Sequence, residues 1–193
     1  MGKREHKKWT FSLEQSGTLI FLSVLFLSGG IIGCLFSRLS AGAADGSLVS
    51  YLVDYMETAQ TGPIKREFWS TAWNELRDFL LIVFLGMTPF KGVGASAMLF
   101  LRGFFLSFSF GCLIQVFGAE GAFLGALLFL IPALFWGPTL FLAANRVISL
   151  SAPALIDGFG ITFGLCGLLL CACIGVEYWM IPRLLKIAVH IVF

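Results

Sequence analysis

Apolar side chains run along this chain in blocks of about 20 residues, the length a helix needs to cross a hydrocarbon core. The first block, 17–38, follows a polar segment, 1–16, that carries Lys3, Arg4, Lys7 and Lys8. The second block, 68–88, is continuously apolar only from Phe79 to Met87. Its earlier turns hold a helical stripe of Phe68, Trp69, Ala72, Trp73 and Leu76, which carries one helix out to an interfacial tryptophan pair. Thr88-Pro89-Phe90-Lys91-Gly92 breaks that helix, and the third block, 95–117, returns as the other arm of a helical hairpin. Gly118-Ala119-Glu120 turns into the fourth block, 121–144, and the fifth, 159–180, closes on Tyr178 and Trp179, with Pro182 just beyond. The remainder, 181–193, is too short to cross again.

These blocks predict an all-α polytopic membrane protein, a bundle of about five transmembrane helices. Four basic residues ahead of the first block place the N-terminus in the cytoplasm of a bacterial cell, and Lys91 and Arg146 fall on the same side. Five crossings then leave the C-terminal tail outside. Ala41-Gly42-Ala43 looks like a signal-peptidase site, but the block before it is long and its leading segment extended, so retention of the first helix is expected. Between the first two spans lies an outer loop, 39–67. Within it Leu48, Tyr51, Leu52, Tyr55 and Met56 recur at helical spacing, with Ser47 as N-cap and Gly62-Pro63 as stop. The pattern predicts one extracytoplasmic amphipathic helix. It either lies on the outer leaflet or the span tops, or offers its tyrosines to a partner.

Composition narrows the chemistry. The 193 residues are 58% hydrophobic and only 12% charged, with 21 Phe and 22 Gly, against roughly 25% charged residues in an ordinary soluble domain. A net charge of +2 leaves no basic stripe for phosphate backbones, so nucleic acid is not an expected partner, whereas membrane lipid is. Cys34, Cys112, Cys166, Cys171 and Cys173 all sit in apolar runs without metal or redox spacing. The two histidines, His6 and His190, lie near the ends, so no span offers an imidazole base. Ser96, in Gly94-Ala95-Ser96-Ala97, resembles a nucleophile turn weakly and has no base. No catalytic residue, metal ligand or cofactor is expected, and the chain reads as a non-enzyme.

Charge inside the membrane is costly and demands a partner. Asp78 lies about 11 residues above the hairpin's cytoplasmic end and Arg102 about 8 residues up the returning helix, roughly 16 and 12 Å deep at 1.5 Å per residue. Those depths match within a side chain, which predicts an ion pair fixing hairpin register, with an ion or proton path as the competing reading. Pro132 and Pro138 interrupt the fourth block and predict a kinked or locally unwound helix. Gly121 with Gly125, Gly160 with Gly164, and Gly29, Gly30 and Gly33 mark close helix crossings.

The stretch from Glu75-Leu-Arg-Asp to Leu85-Gly86, the proline-containing turn, and Met98-Leu-Phe-Leu-Arg-Gly through Phe110-Gly111 resemble the stage II sporulation protein M family. The similarity runs over roughly 18–170 and takes in Ile131-Pro132-Ala133, where many relatives carry polar neighbours and this chain has Phe129, Leu130, Leu134 and Phe135. The resemblance implies a non-enzymatic scaffold of endospore formation, in the mother-cell septal membrane during forespore engulfment. Its implied partners are stage II sporulation proteins D and P, peptidoglycan-degrading enzymes recruited to the septum. Leu48, Tyr51, Leu52, Tyr55 and Met56 are then the physically argued contact candidates. The rival class is a membrane subunit of a small-solute transport complex, suggested by the proline-interrupted fourth helix.

Overall fold

The computed structural model describes the backbone of residues 2–43, 50, 54, 68–149 and 159–184, and side chains within 17–40, 68–149 and 164–184 and at Ser50 and Asp54. Among the described residues the chain is helical, joined by one turn at 87–90, and contains no strand. The helices are α1 (Gly2–Ala43), α2 (Phe68–Gly86), α3 (Lys91–Gly125), α4 (Ile131–Ser149) and α5 (Phe159–Gly175). One π-helical turn, Ala126–Leu130, joins α3 to α4, and a second, Val176–Met180, follows α5.

Among the described residues, three helical runs are long and apolar enough to cross a membrane: Gly17–Ser40, Lys91–Ser149 and Gly164–Leu184. The middle run, at 59 residues, exceeds what one crossing requires by more than twofold, and it doubles back. Gly118 leaves helical geometry at φ 63°, a conformation glycine adopts without the penalty a Cβ imposes. Beyond it Gly121 packs against the backbone of Leu113, and Gly125 against the ring of Phe110. The paired positions recede from Gly118 in opposite directions, so the two arms are antiparallel neighbours. α2 does not join the three runs because Glu75, Arg77 and Asp78 fall in its middle.

Contacts set the helix directions. Gly29 and Gly33 of α1 meet the backbone of Phe100 and Phe104, and the side-chain amide of Gln115 meets the hydroxyl of Ser37 at 3.2 Å, so α1 and the first arm of α3 run parallel. A side chain at Gly29, Gly33 or Gly103 would collide with a facing carbonyl, which is how glycine draws two helices into backbone contact. α2 is antiparallel to α3, with Leu85 against Gly94 near the turn and Asp78 against Arg102 farther along. α5 is antiparallel to α4: Cys173 Sγ donates to the Pro132 carbonyl and Cys166 Sγ to that of Thr139, each at 3.8 Å. The core gathers Leu22 of α1, Ile82 of α2, Leu99 of α3, Trp136, Leu140 and Val147 of α4, and Cys173 of α5. Ile20, Leu27, Ile31, Leu35, Phe84, Leu134 and Leu168 face outward, an apolar exterior suited to lipid.

Several boundaries differ from the apolar blocks. α1 is helical from Gly2, well ahead of the apolar block that opens at 17. The third helix opens at Lys91 rather than 95, the fourth reaches Ser149, and helix continues to 184 at the C-terminal side. Apolar length marks where a helix meets lipid, whereas the helix itself persists as long as its hydrogen bonds do. The fourth block carries a widened turn. The widened turn 126–130 precedes Pro132, and helix runs unbroken through Pro138. Proline lacks the N–H for a normal helical bond and crowds the carbonyl one turn back, and a π turn accommodates both. The same device recurs at Val176–Met180, ahead of Ile181-Pro182.

Candidate functional site

The densest polar chemistry among the described residues is an ionic clasp between α2, α3 and α4. Glu75 and Asp78 stand three apart on α2 and so share a face, and both side chains are nearly excluded from solvent, at 7% and 12% exposure. Arg102, from α3, meets them with one terminal nitrogen: Nη2 lies 2.5 Å from Asp78 Oδ2 and 3.8 Å from Glu75 Oε1. Trp136 of α4 covers the guanidinium, 4.8 Å from Cζ to the ring centroid. Such a contact is worth about 2 kcal/mol when water is excluded. Trp136 in turn packs edge-on against Phe26 of α1, at 6.4 Å between ring centroids. Arg77, more than half exposed, approaches the far oxygen of Asp78 at 3.5 Å, so two carboxylates face two guanidinium groups.

This arrangement brings Asp78 and Arg102 together and adds Glu75, Arg77 and Trp136, which the sequence reading did not include. Glu75 was legible in principle, since i and i+3 on one helix face the same way, but Trp136 had no signal apart from being an aromatic in a mid-helix apolar run. Arg102 Nε is buried with no hydrogen-bond partner among the described residues, as is Oδ1 of Asn145, lower on α4. Pro132 sits one turn from Trp136, and its carbonyl takes the Cys173 thiol, tying α5 to the same level.

The other candidates separate from the clasp. Ser96 lies within the first turns of α3 rather than at a turn between elements. Cys112, Cys166 and Cys173 are buried, while Cys34 and Cys171 are exposed on the outer faces of their helices. Among the described residues no group of three His, Cys, Asp or Glu side chains is placed to hold a metal ion. Leu48, Tyr51, Leu52, Tyr55 and Met56 lie outside the described residues; of their segment only Ser50 and Asp54 are described, both with helical backbone.

The carboxylates and guanidinium of the clasp are turned on one another, an aromatic ring closes the remaining face, and three helices are held at one depth. Compared with family models, curated proteins and solved structures, the chain matches none of them.

Proposed function

We propose that this protein is a membrane scaffold that holds peptidoglycan-degrading enzymes at the septal membrane of an endospore-forming cell. The observation that carries the reading is the clasp. Glu75, Asp78 and Arg102 are turned on each other under the ring of Trp136, as the parts of a rigid support are. The sequence resemblance supplies the biological setting and the partner class, stage II sporulation proteins D and P. In the arrangement we propose, the bundle crosses the membrane five times. α2 crosses despite its charges because they are matched inside the bundle, and Gly118 is an outer turn. The N-terminal end of α1 then faces the cytoplasm, the segment 39–67 faces the wall, and Tyr51 and Tyr55 are candidate contacts there.

Affinity recovery of the tagged, detergent-solubilised protein from sporulating cells tests the proposal, with a Tyr51→Ser, Tyr55→Ser variant beside it. Peptidoglycan hydrolases recovered with the native protein, and lost with the variant at normal membrane level, are expected. Recovery of an ATPase or permease subunit, together with solute flux in liposomes, would overturn the scaffold reading in favour of a transport complex.

A further inference from the structure

The Ala41-Gly42-Ala43 motif follows a 24-residue apolar span, Gly17–Ser40, with basic residues ahead of it, the parts from which a secretory leader is also made. Yet α1 stays helical through Ala43. A peptidase cuts a strand laid out in its cleft, so cutting here follows the population in which the last turns of α1 have opened. Gly42 weakens that end, being a poorer helix former than alanine.

What holds that end is α3. One turn ahead of the motif, the side-chain amide of Gln115 grips the backbone of α1. Oriented by these partners, its nitrogen donates to the Ser37 carbonyl and its oxygen accepts from the Arg38 N–H, each at 3.1 Å. The Ser37 hydroxyl donates to the Cys34 carbonyl at 2.8 Å, the acceptor that the Arg38 N–H meets in a regular helix, and Gln115 offers that N–H an alternative. Ser37 is fully buried, and a side chain at Gly111 would fall on its hydroxyl, so the notch at Gly111 is what admits this latch. The seam at Gly29 and Gly33 continues the same attachment down the helix.

We propose that Ala41-Gly42-Ala43 is a conditional signal-peptidase site, shielded while α1 is packed on α3 and latched by Gln115, and cut when α1 is left without that partner. Water then adds across the Ala43–Ala44 peptide bond, leaving a carboxylate on Ala43 and an ammonium group on Ala44. Full-length protein accumulates only where its first helix has paired. This rests on the topology proposed above, which puts the motif on the outer face, where signal peptidase works.

The test expresses the full-length protein, tagged at both ends, in bacterial cells and reads the tags by immunoblot with and without a signal-peptidase inhibitor. The native protein is expected nearly whole. Gln115→Leu, which removes the latch, is expected to raise an N-terminal fragment ending at Ala43 by about tenfold, the change in open population that one to two hydrogen bonds make. Gly33→Leu, which pushes α1 off α3, is cut further. The inhibitor abolishes the fragment, as does a second change, Ala43→Tyr, too large for the position before the cut. A native chain cut as readily as the variants, a Gln115→Leu chain left whole, or a fragment that survives the inhibitor would each overturn the proposal. Loss of the N-terminal tag to protease added outside intact cells would instead defeat the topology, which separates the two failures.

Discussion

Arg102 is the side chain on which the clasp depends, because its single Nη2 serves both carboxylates while its flat face meets Trp136. Replacing it with leucine strands Glu75 and Asp78 in a nearly dry interior, and breaking a buried pair from one side costs about 3–5 kcal/mol. With a quarter of the Arg102 side chain still exposed, the lower end of that range is expected, read as a fall in thermal stability in detergent and in membrane level. Asp78→Arg and Arg102→Asp should each lose protein singly and recover it together. Normal accumulation of both single variants would show that the pair holds nothing. Trp136→Leu keeps an apolar filler but removes the ring, and should cost about 1–2 kcal/mol on the same stability measurement. The sequence reading reached Asp78 and Arg102 by depth arithmetic along a hairpin, a local argument. Trp136 enters from a helix whose position beside them depends on packing, which no spacing in the chain encodes.

At the scale of elements, the α1–α3 seam is built from absence of side chains. Gly103 lies against the Phe26 backbone and Gly33 against that of Phe104, so any larger residue must push whole helices apart. Gly103→Leu should abolish folded protein, whereas Gly17→Ala, where nothing stands in the way, should leave melting temperature and membrane level unchanged. Light scattering or gel filtration of the two variants in detergent makes the comparison. The glycine spacing announced close crossings in the sequence, but not which helices meet, since one small-residue stripe suits many partners. The prolines were legible as interruptions too. Where the backbone widens was not, because a π turn forms at the residues whose carbonyls the ring displaces, a turn ahead of Pro132 and again ahead of Pro182. For helix ends, apolar length underestimated α1, α4 and the C-terminal helix, whose ends continue past the lipid-matched stretch.

Across the whole molecule, the reversal at Gly118 decides how a 59-residue helical run divides. With the native cysteines replaced by alanine, F110C with G125C should form a cross-link under mild oxidation, because the ring and the glycine face each other across the turn. A straight helix would hold those positions more than 20 Å apart, at about 1.5 Å per residue, and would give none. In the same background a cysteine at Ala119 should react with an impermeant thiol reagent added to intact cells, and one at Phe90 should not. The opposite pattern would invert the proposed topology. The apolar blocks carried the helical class and the antiparallel hairpins, since both follow from length and turn chemistry. They overstated how plainly α2 reads as a span, because its three mid-helix charges make sense only against their partners.

The parallel pairing of α1 with α3 also imposes an order in time. Parallel neighbours cannot be joined by a tight turn, so the surface that receives Gly29 and Gly33 does not exist until the ribosome has added roughly 70 more residues. At a synthesis rate of about 5–20 residues per second, α1 spends roughly 4–14 s in the bilayer with its glycine face bare. During that interval a newborn α1 is open to adoption by any other helix with a small-residue stripe. A chain whose translation stalls before Phe104 should leave its first helix as a stray anchor, seeking foreign company in the membrane.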